Sequence, residues 1–473
     1  MVKAYPKYKD SEAPWLGKVP ENWDVLPTRT LFAEVKEREH VDEKLLSVTI
    51  SQGVIRQEDL ISNSSKKDSS NEDKSKYKLV EPGDIAYNKM RAWQGAIGIS
   101  QYRGIVSPAY IVVRPRRELN ARYFHYLLRT PAFAKEAERW SYGITSDQWS
   151  LRPEHFKMIY CSVPSEKEQD SIVKFLDNVD IRVRRYIRDK QQVIKLLNEQ
   201  KQAIINRAIA RGIDRNVKLK PSGVKFLGDI PAHWEVRKIK QTTNLIVSNV
   251  DKHTFPEELP VRLCNYVDIY KNERIRADMN FMRATATPDE VLRFKLRMGD
   301  VVITKDSEEW TDIAVPALVE YEANDFVCGY HLAILRPDIK KIESEFLFRV
   351  LQSSVVASQF HVSANGVTRY GLSHQAIKDV LIPVPPLEEQ RKIIAYISEG
   401  VFDFQRIIES ASAEIDLIKE YRLRLHSDVV TGKIDVRNIK LPDLQEETPS
   451  EPIDDEETSA EIEDAEEPVN ADE

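Results

Sequence analysis

The sequence has few cysteines and no long apolar run. Its three cysteines, Cys161, Cys264 and Cys328, lie far apart and form no C-x-x-C pair, so neither a disulfide scaffold nor a zinc site is predicted. No stretch of about 18 apolar residues could cross a membrane. Residues 1–10 are charged and lack the apolar segment typical of a secretion signal. These absences favour reduced thiols in a cytoplasmic protein.

The sequence also lacks the short motifs of several enzyme classes. It has no glycine-rich phosphate loop, no H-E-x-x-H helix and no N-P-P-Y-type methyltransferase motif, and its nine histidines form no ligand-spaced cluster. We therefore expect no metal, no cofactor and no catalytic residue in this chain. One weak exception is the spacing of Asp84 and Lys89, which returns in Asp300 and Lys305 and is found in part of some nuclease sites. Because a matching second acid is not in register in both copies, we favour a turn before a strand.

Charge is distributed unevenly along the chain. The net charge is −7, but residues 441–473 contain 15 acidic and no basic residues, which leaves residues 1–440 with a net charge of +8. Such a tail has too few apolar groups to offset the entropy lost on ordering, so we expect it to be disordered. It either aids solubility or mimics phosphate charge and competes for a basic surface.

The most informative feature is a long internal repeat. Residues 15–23 (WLGKVPENW) return as residues 226–234 (FLGDIPAHW), and Glu168-Gln169 after a Val-Pro pair returns as Glu389-Gln390. Solenoid repeats have periods of about 20–50 residues, so a repeat of this length must be a whole domain with the segment that follows it. Two similar domains on one chain suit a ligand with two related halves.

Two segments have the pattern of unusually long helices. Residues 166–210 contain no glycine or proline, residues 387–430 contain only Gly400, and apolar side chains recur at helical spacing through both. The residues expected at helix boundaries flank them: Pro164, Pro385, Gly212 and Gly432. A lone helix of this length would leave its apolar stripe in water, so we predict that the two form an antiparallel coiled coil.

The front part of each repeat mixes short strands with helices. Apolar runs bounded by turn residues predict strands, for example over residues 105–113, and helices are expected over residues 121–140 and near residues 345–360. Residues 62–76 are polar and are expected to be a disordered insertion. The predicted fold is therefore α+β: two similar domains, two paired long helices and an acidic tail.

These repeated landmarks resemble those of the specificity (S) subunits of type I restriction-modification enzymes. Members of that family share the order domain, long helix, domain, long helix. The L-G-x-x-P-x-x-W openings at residues 16–23 and 227–234 match it, as do the P-x-x-x-E-Q helix starts at residues 164–169 and 385–390. The segment at residues 88–96 (NKMRAWQGA) is similar to a frequent version of its target recognition domain. The resemblance covers about residues 12–440.

The resemblance implies a non-catalytic subunit that reads a split double-stranded DNA target. Its parts would be target recognition domains at residues 1–163 and 213–384, spacer helices at 164–212 and 385–432, and a C-terminal segment at 433–473. The helices would set the spacing and dock two methyltransferase (M) subunits that bind S-adenosylmethionine. Restriction/translocase (R) subunits would complete the complex. Because the loops of the two repeats differ, the target should be asymmetric.

Two elements of each repeat carry the candidate DNA-binding residues. One is a loop between strands, at residues 89–94 and 305–312, and the other is a turn at residues 141–149 and 364–373. DNA reading needs cations for phosphates and planar hydrogen-bonding groups for base edges. The candidates of the first repeat are Lys89, Arg91, Trp93, Gln94, Tyr142, Thr145 and Ser146. Those of the second are Lys305, Ser307, Trp310, Thr368, Arg369 and Tyr370.

Among these residues, Arg91 is suited to guanine, Gln94 to adenine, and Arg369 is the strongest candidate of the second repeat. The structural alternative is a surface loop in which Trp93 covers the edge of the core. Trp23 and Trp234 are expected to be core anchors. Two other functions stay open: a metal-dependent nuclease, and a coiled-coil adaptor that binds only proteins and needs no basic loops.

Overall fold

The computed structural model of the protein describes residues 3–62, 73–143, 148–366 and 369–441. The expected disordered tail and most of the expected insertion lie outside these residues, and so do the candidates Thr145, Ser146 and Thr368. Neither long helix, nor any other helix in the described part of the chain, is apolar enough over sufficient length to span a membrane.

The first repeat contains twelve strands in its described part. They are β1 (Tyr8–Asp10), β2 (Lys18–Pro20), β3 (Asp24–Pro27), β4 (Phe32–Val35), β5 (Leu46–Thr49), β6 (Gly53–Arg56), β7 (Lys78–Val80), β8 (Ile85–Asn88), β9 (Ile97–Ile99), β10 (Gly104–Val106), β11 (Tyr110–Pro115) and β12 (Tyr160–Val163). Its α-helices are α1 (Thr28–Leu31), α2 (Gln57–Ser62), α3 (Ala121–Leu128), α4 (Pro131–Arg139), α5 (Pro153–Phe156) and the long α6 (Glu166–Arg211).

The second repeat follows the same plan with some additions. Its strands are β13 (Leu219–Pro221), β14 (Asp229–Pro231), β15 (Glu235–Lys238), β16 (Thr243–Val247), β17 (Leu259–Cys264), β18 (Arg274–Ile275), β19 (Met282–Ala286), β20 (Val301–Thr304), β21 (Asp306–Ser307), β22 (Pro316–Val319), β23 (Phe326–Cys328), β24 (Leu332–Pro337), β25 (Tyr370–Gly371) and β26 (Leu381–Val384). Its helices are α7 (Ile239–Thr242), α8 (Tyr266–Lys271), α9 (Pro288–Phe294), α10 (Ser344–Gln352), α11 (Ser354–Ser363), α12 (His374–Asp379) and the long α13 (Leu387–Val430).

The chain divides into two compact units. Unit 1 comprises residues 1–191 and 412–473, and unit 2 comprises residues 192–411. Each unit therefore contains one mixed domain, part of α6 and part of α13. The long helices themselves begin and end within two residues of the predicted spacer ranges.

The two domains share a sheet topology. Unit 1 has an antiparallel sheet of order β4-β11-β8-β9, and unit 2 has the order β16-β24-β20-β22, extended by the parallel edge strand β18. The pair β3–β12 in unit 1 has its counterpart in β15–β26 of unit 2, and β1–β2 has its counterpart in β13–β14. Unit 2 adds a sheet of order β19-β17-β23. This recurrence confirms the predicted α+β fold with two similar domains.

The long helices pack against each other antiparallel within each unit. In unit 1, Asp180 of α6 contacts Arg422 of α13 (Nε–Oδ1 2.8 Å), while the later residue Tyr186 donates to the earlier Glu414 (2.5 Å). In unit 2, Lys201 donates to Gln405 (3.0 Å), and a Cβ on Gly400 would lie 3.5 Å from Ile204. The predicted pairing of the two helices is thus confirmed.

The opening motifs and the glycines after the long helices form matching contacts. Trp23 is fully buried and lies against Gly432, whose φ is +78° and where an added Cβ would be 3.2 Å from the indole. In unit 2, the buried Trp234 lies against Gly212, whose φ is +71°, and a Cβ added to Gly212 would be 3.1 Å from the indole. Both tryptophans are core anchors, as predicted, and each glycine allows the helix end to approach one.

The repeated Glu-Gln pairs at the helix starts also have structural roles. Glu168 accepts a hydrogen bond from Asn22 (3.2 Å), and Glu389 contacts His233 (2.7 Å), so each glutamate holds the residue before the buried tryptophan. The glutamines bridge backbone segments: Gln169 Oε1 accepts from the N–H of Asn120 (3.1 Å), and Gln390 does the same for Glu343 (2.9 Å). The motif therefore ties each long helix to its domain.

Three predicted elements are interrupted. The single helix expected over residues 121–140 is two helices, because Pro131 lacks an N–H and starts α4, capped by Thr130. The helix expected near residues 345–360 breaks at Ser353, which has an extended ψ of 126°. The strand expected over residues 105–113 divides into β10 and β11 around Pro108, which has no N–H for a ladder hydrogen bond.

His125 makes unit 1 sensitive to acid. Its imidazole lies on α3, where Nδ1 accepts a hydrogen bond from the N–H of Ile99 (3.3 Å). Burial, with Arg129 and Arg122 nearby, lowers the pKa of His125 from 6.5 to about 3. Between these values the unfolded chain binds a proton that the folded unit does not. Stability therefore falls as pH drops from 6.5, by at most about 1.4 kcal/mol per pH unit.

The variant His125→Gln keeps a hydrogen-bond acceptor but cannot titrate. Its free energy of unfolding in urea should depend less on pH than that of the wild type between about pH 4 and pH 6.5. Above about pH 7.5, where His125 is neutral in both the folded and the unfolded chain, the variant and the wild type should have the same slope, which supplies the control. An unchanged slope for His125→Gln would contradict the assignment.

Candidate nucleic-acid interface

The first candidate loop, which we call loop 1 (residues 89–96), is a rigid connection between β8 and β9. The amide of Met90 donates to the Asn88 side chain (2.9 Å), one 3-10 turn covers Ala92–Gln94, and Gly95 ends it with a φ of +103°. The indole of Trp93 donates to the carbonyl of Met90 (2.8 Å) and is partly buried. Trp93 therefore contributes to the loop's own structure.

Two short stretches before α5, residues 142–143 and 148–150, which we call hairpin 1, lie against loop 1. The backbones of Tyr142 and Ser150 pair with each other, and the N–H of Leu151 donates to the carbonyl of Lys89 (2.8 Å). The rings of Trp93 and Trp149 meet edge to face at 5.4 Å. The structure thus brings the two candidate elements of the first repeat together, with Tyr142 58% exposed beside them.

Arg91 and Gln94 interact with each other across loop 1. The guanidinium Nη1 of Arg91 donates to Oε1 of Gln94 at 3.1 Å, and both side chains are half-buried. This contact uses one of the two lone pairs of the Gln94 amide oxygen, the atom that would also accept in a bidentate contact with adenine. In this arrangement Gln94 orients Arg91.

In the second repeat, different residues join a loop to a hairpin in the same way. We call this joined pair of a loop and a hairpin the frame of each unit. Loop 2 (residues 305–313) and hairpin 2 (residues 365–366 and 369–371) are joined by the pairing of β21 with β25, in register Ser307 to Tyr370. The N–H of Leu372 donates to the carbonyl of Lys305 (3.0 Å), which repeats the contact between Leu151 and Lys89. Trp310 is 48% exposed and meets His361 edge to face at 5.6 Å.

An ion-pair cluster crosses the second frame. Asp306 Oδ1 lies 2.9 Å from Arg369 Nη2 and 2.5 Å from His331 Nδ1, and Arg369 Nη2 lies 3.1 Å from His331 Nδ1. Burial, followed by the positive charge of Arg369, lowers the pKa of His331 although Asp306 opposes the shift. Asp306 Oδ1 is buried and accepts no hydrogen bond of regular geometry from the described residues, so its negative charge holds Arg369 and His331 as ion pairs.

Several residues at the two surfaces were not predicted from the sequence. Tyr266 on α8 shares a hydrogen bond with the buried Ser307 (3.2 Å), and its ring stacks on that of Tyr270. The spacing of four residues between the two tyrosines is the sequence signal that could have identified this pair. Ser307 is thus partly a structural residue. In unit 1, Arg129 donates to the carbonyls of Ile50 (2.6 Å) and Ile97 (2.8 Å), which fixes the β5–β6 turn beside loop 1.

The repeated aspartates of the nuclease alternative are committed to ion pairs. Asp84 accepts two hydrogen bonds from Arg114 and Asp300 accepts two from Arg336, all four at 2.8 Å. Each also accepts from a backbone N–H of the preceding turn, which is the predicted turn before a strand. Among the residues that the structure describes, no group of three or more His, Cys, Asp or Glu side chains is placed to hold a metal ion.

The chain is similar to known proteins along most of its length. It matches the type I restriction modification DNA specificity domain twice, over residues 32–196 and 231–417. A putative type I restriction enzyme MjaX specificity subunit of Methanocaldococcus jannaschii is 24% identical over 46% of this chain, which spans about half (51%) of that protein. The type I restriction enzyme MjaVIII specificity subunit of the same organism is 21% identical over 72% of this chain and 76% of its own length.

One solved structure supports the fold. It is described as the structural basis underlying complex assembly and conformational transition of the type I R-M system. It superposes with a TM-score of 0.55 at 15% identity, and the match covers 87% of this chain and 98% of that one.

Proposed function

The chain belongs to the type I restriction-modification DNA specificity family, and from this premise we propose that it reads a two-part DNA target, one half with each unit. The observation that carries the proposal is the duplicated frame. Loop and hairpin are joined by the same backbone contact in both units, Leu151 to Lys89 and Leu372 to Lys305. A shared scaffold with different side chains is what two different half-sites require, so the target is asymmetric.

Each frame offers both kinds of DNA contact. Lys89 in unit 1 and Lys305 in unit 2 supply charge for phosphates, whereas Arg91 and Arg369 supply the planar donors that suit a guanine edge. Thr145, Ser146 and Thr368 lie outside the described residues and remain candidates in the proposal because they fall, in the sequence, between the described residues of the two hairpins. Binding should weaken steeply with salt, since phosphate contacts release counterions.

The proposal assigns catalysis to partner subunits. Methyltransferase subunits carrying S-adenosylmethionine would modify the target, and restriction/translocase subunits would cut unmodified DNA; this chain would select the site. Exposed apolar side chains on α13 support docking of such partners: Tyr396, Phe402 and Ile407 in unit 2, and Leu417, Tyr421 and Leu423 in unit 1. Because the ligand is cellular DNA, the proposal places the complex in the cytoplasm.

The test is a map of methylated positions in the host genome with and without this chain. We expect one split motif, with two unlike halves separated by a fixed number of unspecified bases, to lose methylation when the chain is deleted. An unchanged map, or an isolated chain that cuts DNA with magnesium, would refute the proposal. A purified chain with no salt-sensitive DNA binding in complex with its partners would instead support a protein-only adaptor.

Arg91→Ala should relax the preference at a single base position of the half-site read by unit 1. The expected loss is about 1–3 kcal/mol of discrimination, the usual value of one good bidentate pair. Binding to duplexes that carry each single-base change would measure it, with Lys89→Ala as the comparison. Lys89→Ala should weaken all duplexes alike and reduce the salt slope by about one, and a uniform loss for Arg91→Ala would make it a phosphate contact.

A further inference from the structure

Arg369 forms an ion pair with the carboxylate of Asp306, which belongs to the same unit. The side chain of Asp306 is only 18% exposed, whereas that of Arg369 is 51% exposed. The carboxylate therefore lies deeper than the guanidinium with which it forms the ion pair. Backbone pairing fixes the position of Asp306, because this residue stands opposite Gly371 in the β21–β25 pair. The position of the arginine head is therefore set by a strand rather than by the hairpin alone.

The contact leaves Arg369 able to bind DNA. The hydrogen bonds and ion pairs of its guanidinium with described residues all use Nη2, toward Asp306 and His331. A guanidinium has five N–H donors in a plane, so donors remain for a base edge. Bidentate recognition of a base depends on the orientation of the guanidinium. The buried carboxylate of Asp306 on one side restricts how the guanidinium plane of Arg369 can rotate.

Unit 1 solves the same problem with a neutral acceptor. There Arg91 is oriented by the amide oxygen of Gln94 at 3.1 Å, within loop 1 itself. Counting from the equivalent lysines Lys89 and Lys305, the position of Asp306 is occupied by Met90 in the first repeat. In unit 2 the corresponding contact of Arg369 comes from a carboxylate on a strand.

We propose that Asp306 is a positioning residue for sequence reading by unit 2: its negative charge holds the Arg369 guanidinium in place beside His331, and this placement selects one base pair of the half-site. This inference rests on the proposed function and deepens it. Asp306 itself does not touch DNA. A carboxylate that merely stood near the duplex would repel phosphates at every sequence equally, which is a different and measurable behaviour.

The test uses the full chain in complex with the methyltransferase subunits of its own system. The probes are fluorescent duplexes bearing the split target found by methylation mapping, with each base pair of both halves changed singly. For Asp306→Asn we expect discrimination at one position of the unit 2 half to fall about tenfold, within the range known for one bidentate pair. All other positions should stay within about twofold of the wild type.

Two further variants separate positioning from a general structural role. Arg369→Lys keeps the charge but loses the planar fork, so it should relax the same position, and combining it with Asp306→Asn should add little. Asp306→Glu keeps the charge and displaces it by one methylene, so a partial loss at that position is expected. Asp325→Asn is the matched control, since Asp325 also binds an arginine of unit 2, Arg262 (2.6 and 2.9 Å), but lies outside the frame.

The outcomes discriminate between the two levels of the proposal. If the wild-type complex distinguishes none of the duplexes, the proposed function and this inference both fail. If the wild type reads a split target but Asp306→Asn leaves every preference unchanged, only the role of Asp306 is refuted. A uniform gain or loss of affinity with an altered salt slope would also overturn it, because Arg369 would then be a phosphate contact.

Discussion

A chain in which residues 28–159 are exchanged for the corresponding segment of another family member should direct methylation to a target with one new half and one unchanged half. The structure defines these boundaries, because the N–H of Thr28 donates to the carbonyl of Ile159 (2.8 Å) just where β3 and β12 meet. The exchange removes loop 1 and hairpin 1 together. It retains Trp23, Gly432 and the contacts between α6 and α13.

The reciprocal exchange is the matched control. In unit 2 the N–H of Ile239 donates to the carbonyl of Val380 (2.9 Å), so residues 239–380 are the equivalent segment. That exchange should alter the other half of the target only. Genome-wide methylation mapping of both hybrids would show the result, and a change in both halves by either hybrid would contradict the assignment of one half to each unit.

Removal of Arg336 should destabilise unit 2 by about 3–5 kcal/mol, the usual cost of leaving a buried charge without its partner. Asp300 has a side chain only 2% exposed and depends on Arg336 for two of its hydrogen bonds. Arg336→Ala should therefore lower the midpoint of thermal or urea unfolding strongly. The double variant with Asp300→Asn should lose less than the sum of the single losses, since the two changes remove one interaction.

An exposed ion pair in the same unit supplies the control for this prediction. Arg276 pairs with Glu320 at 3.3 Å with 61% of its side chain exposed, so Arg276→Ala should cost less than about 1 kcal/mol. The comparison also addresses the nuclease alternative. If Arg336→Ala had no effect on stability, the pairing of Asp300 would not be structural and its carboxylate would need another explanation.

The large-scale organisation of this chain could be predicted because it depends on periodicity and repetition. The helical spacing of apolar residues located α6 and α13 to within two residues, and the repeated openings identified Trp23 and Trp234 as anchors. Both signals are local or self-referential, so they need no knowledge of which segments meet. The same reasoning failed at Ser353, where no proline or glycine marks the break between α10 and α11.

The contacts of the candidate sites could not be predicted, because they join residues far apart in the chain. Glu168 was recognised as part of a repeated motif, but its partner Asn22 is 146 residues away. Asp306 lay inside a predicted loop, and nothing in the sequence indicates that Arg369 and His331 would share its carboxylate. The types of the residues in the loops suggested that they contact DNA. How their neighbours orient them depends on which strands pair and in which register, and this becomes visible only in the structure.

The division of the units has a consequence for biosynthesis. Unit 2 is one continuous stretch, residues 192–411, whereas unit 1 needs residues beyond 411 to supply the helix end that lies against Trp23. As the chain leaves the ribosome, the first domain to be translated thus waits with part of its core uncovered, while the second domain can close before it. The nascent protein should therefore complete its folding in the reverse of the order in which its domains are made, and its early domain is the one that most needs protection by chaperones.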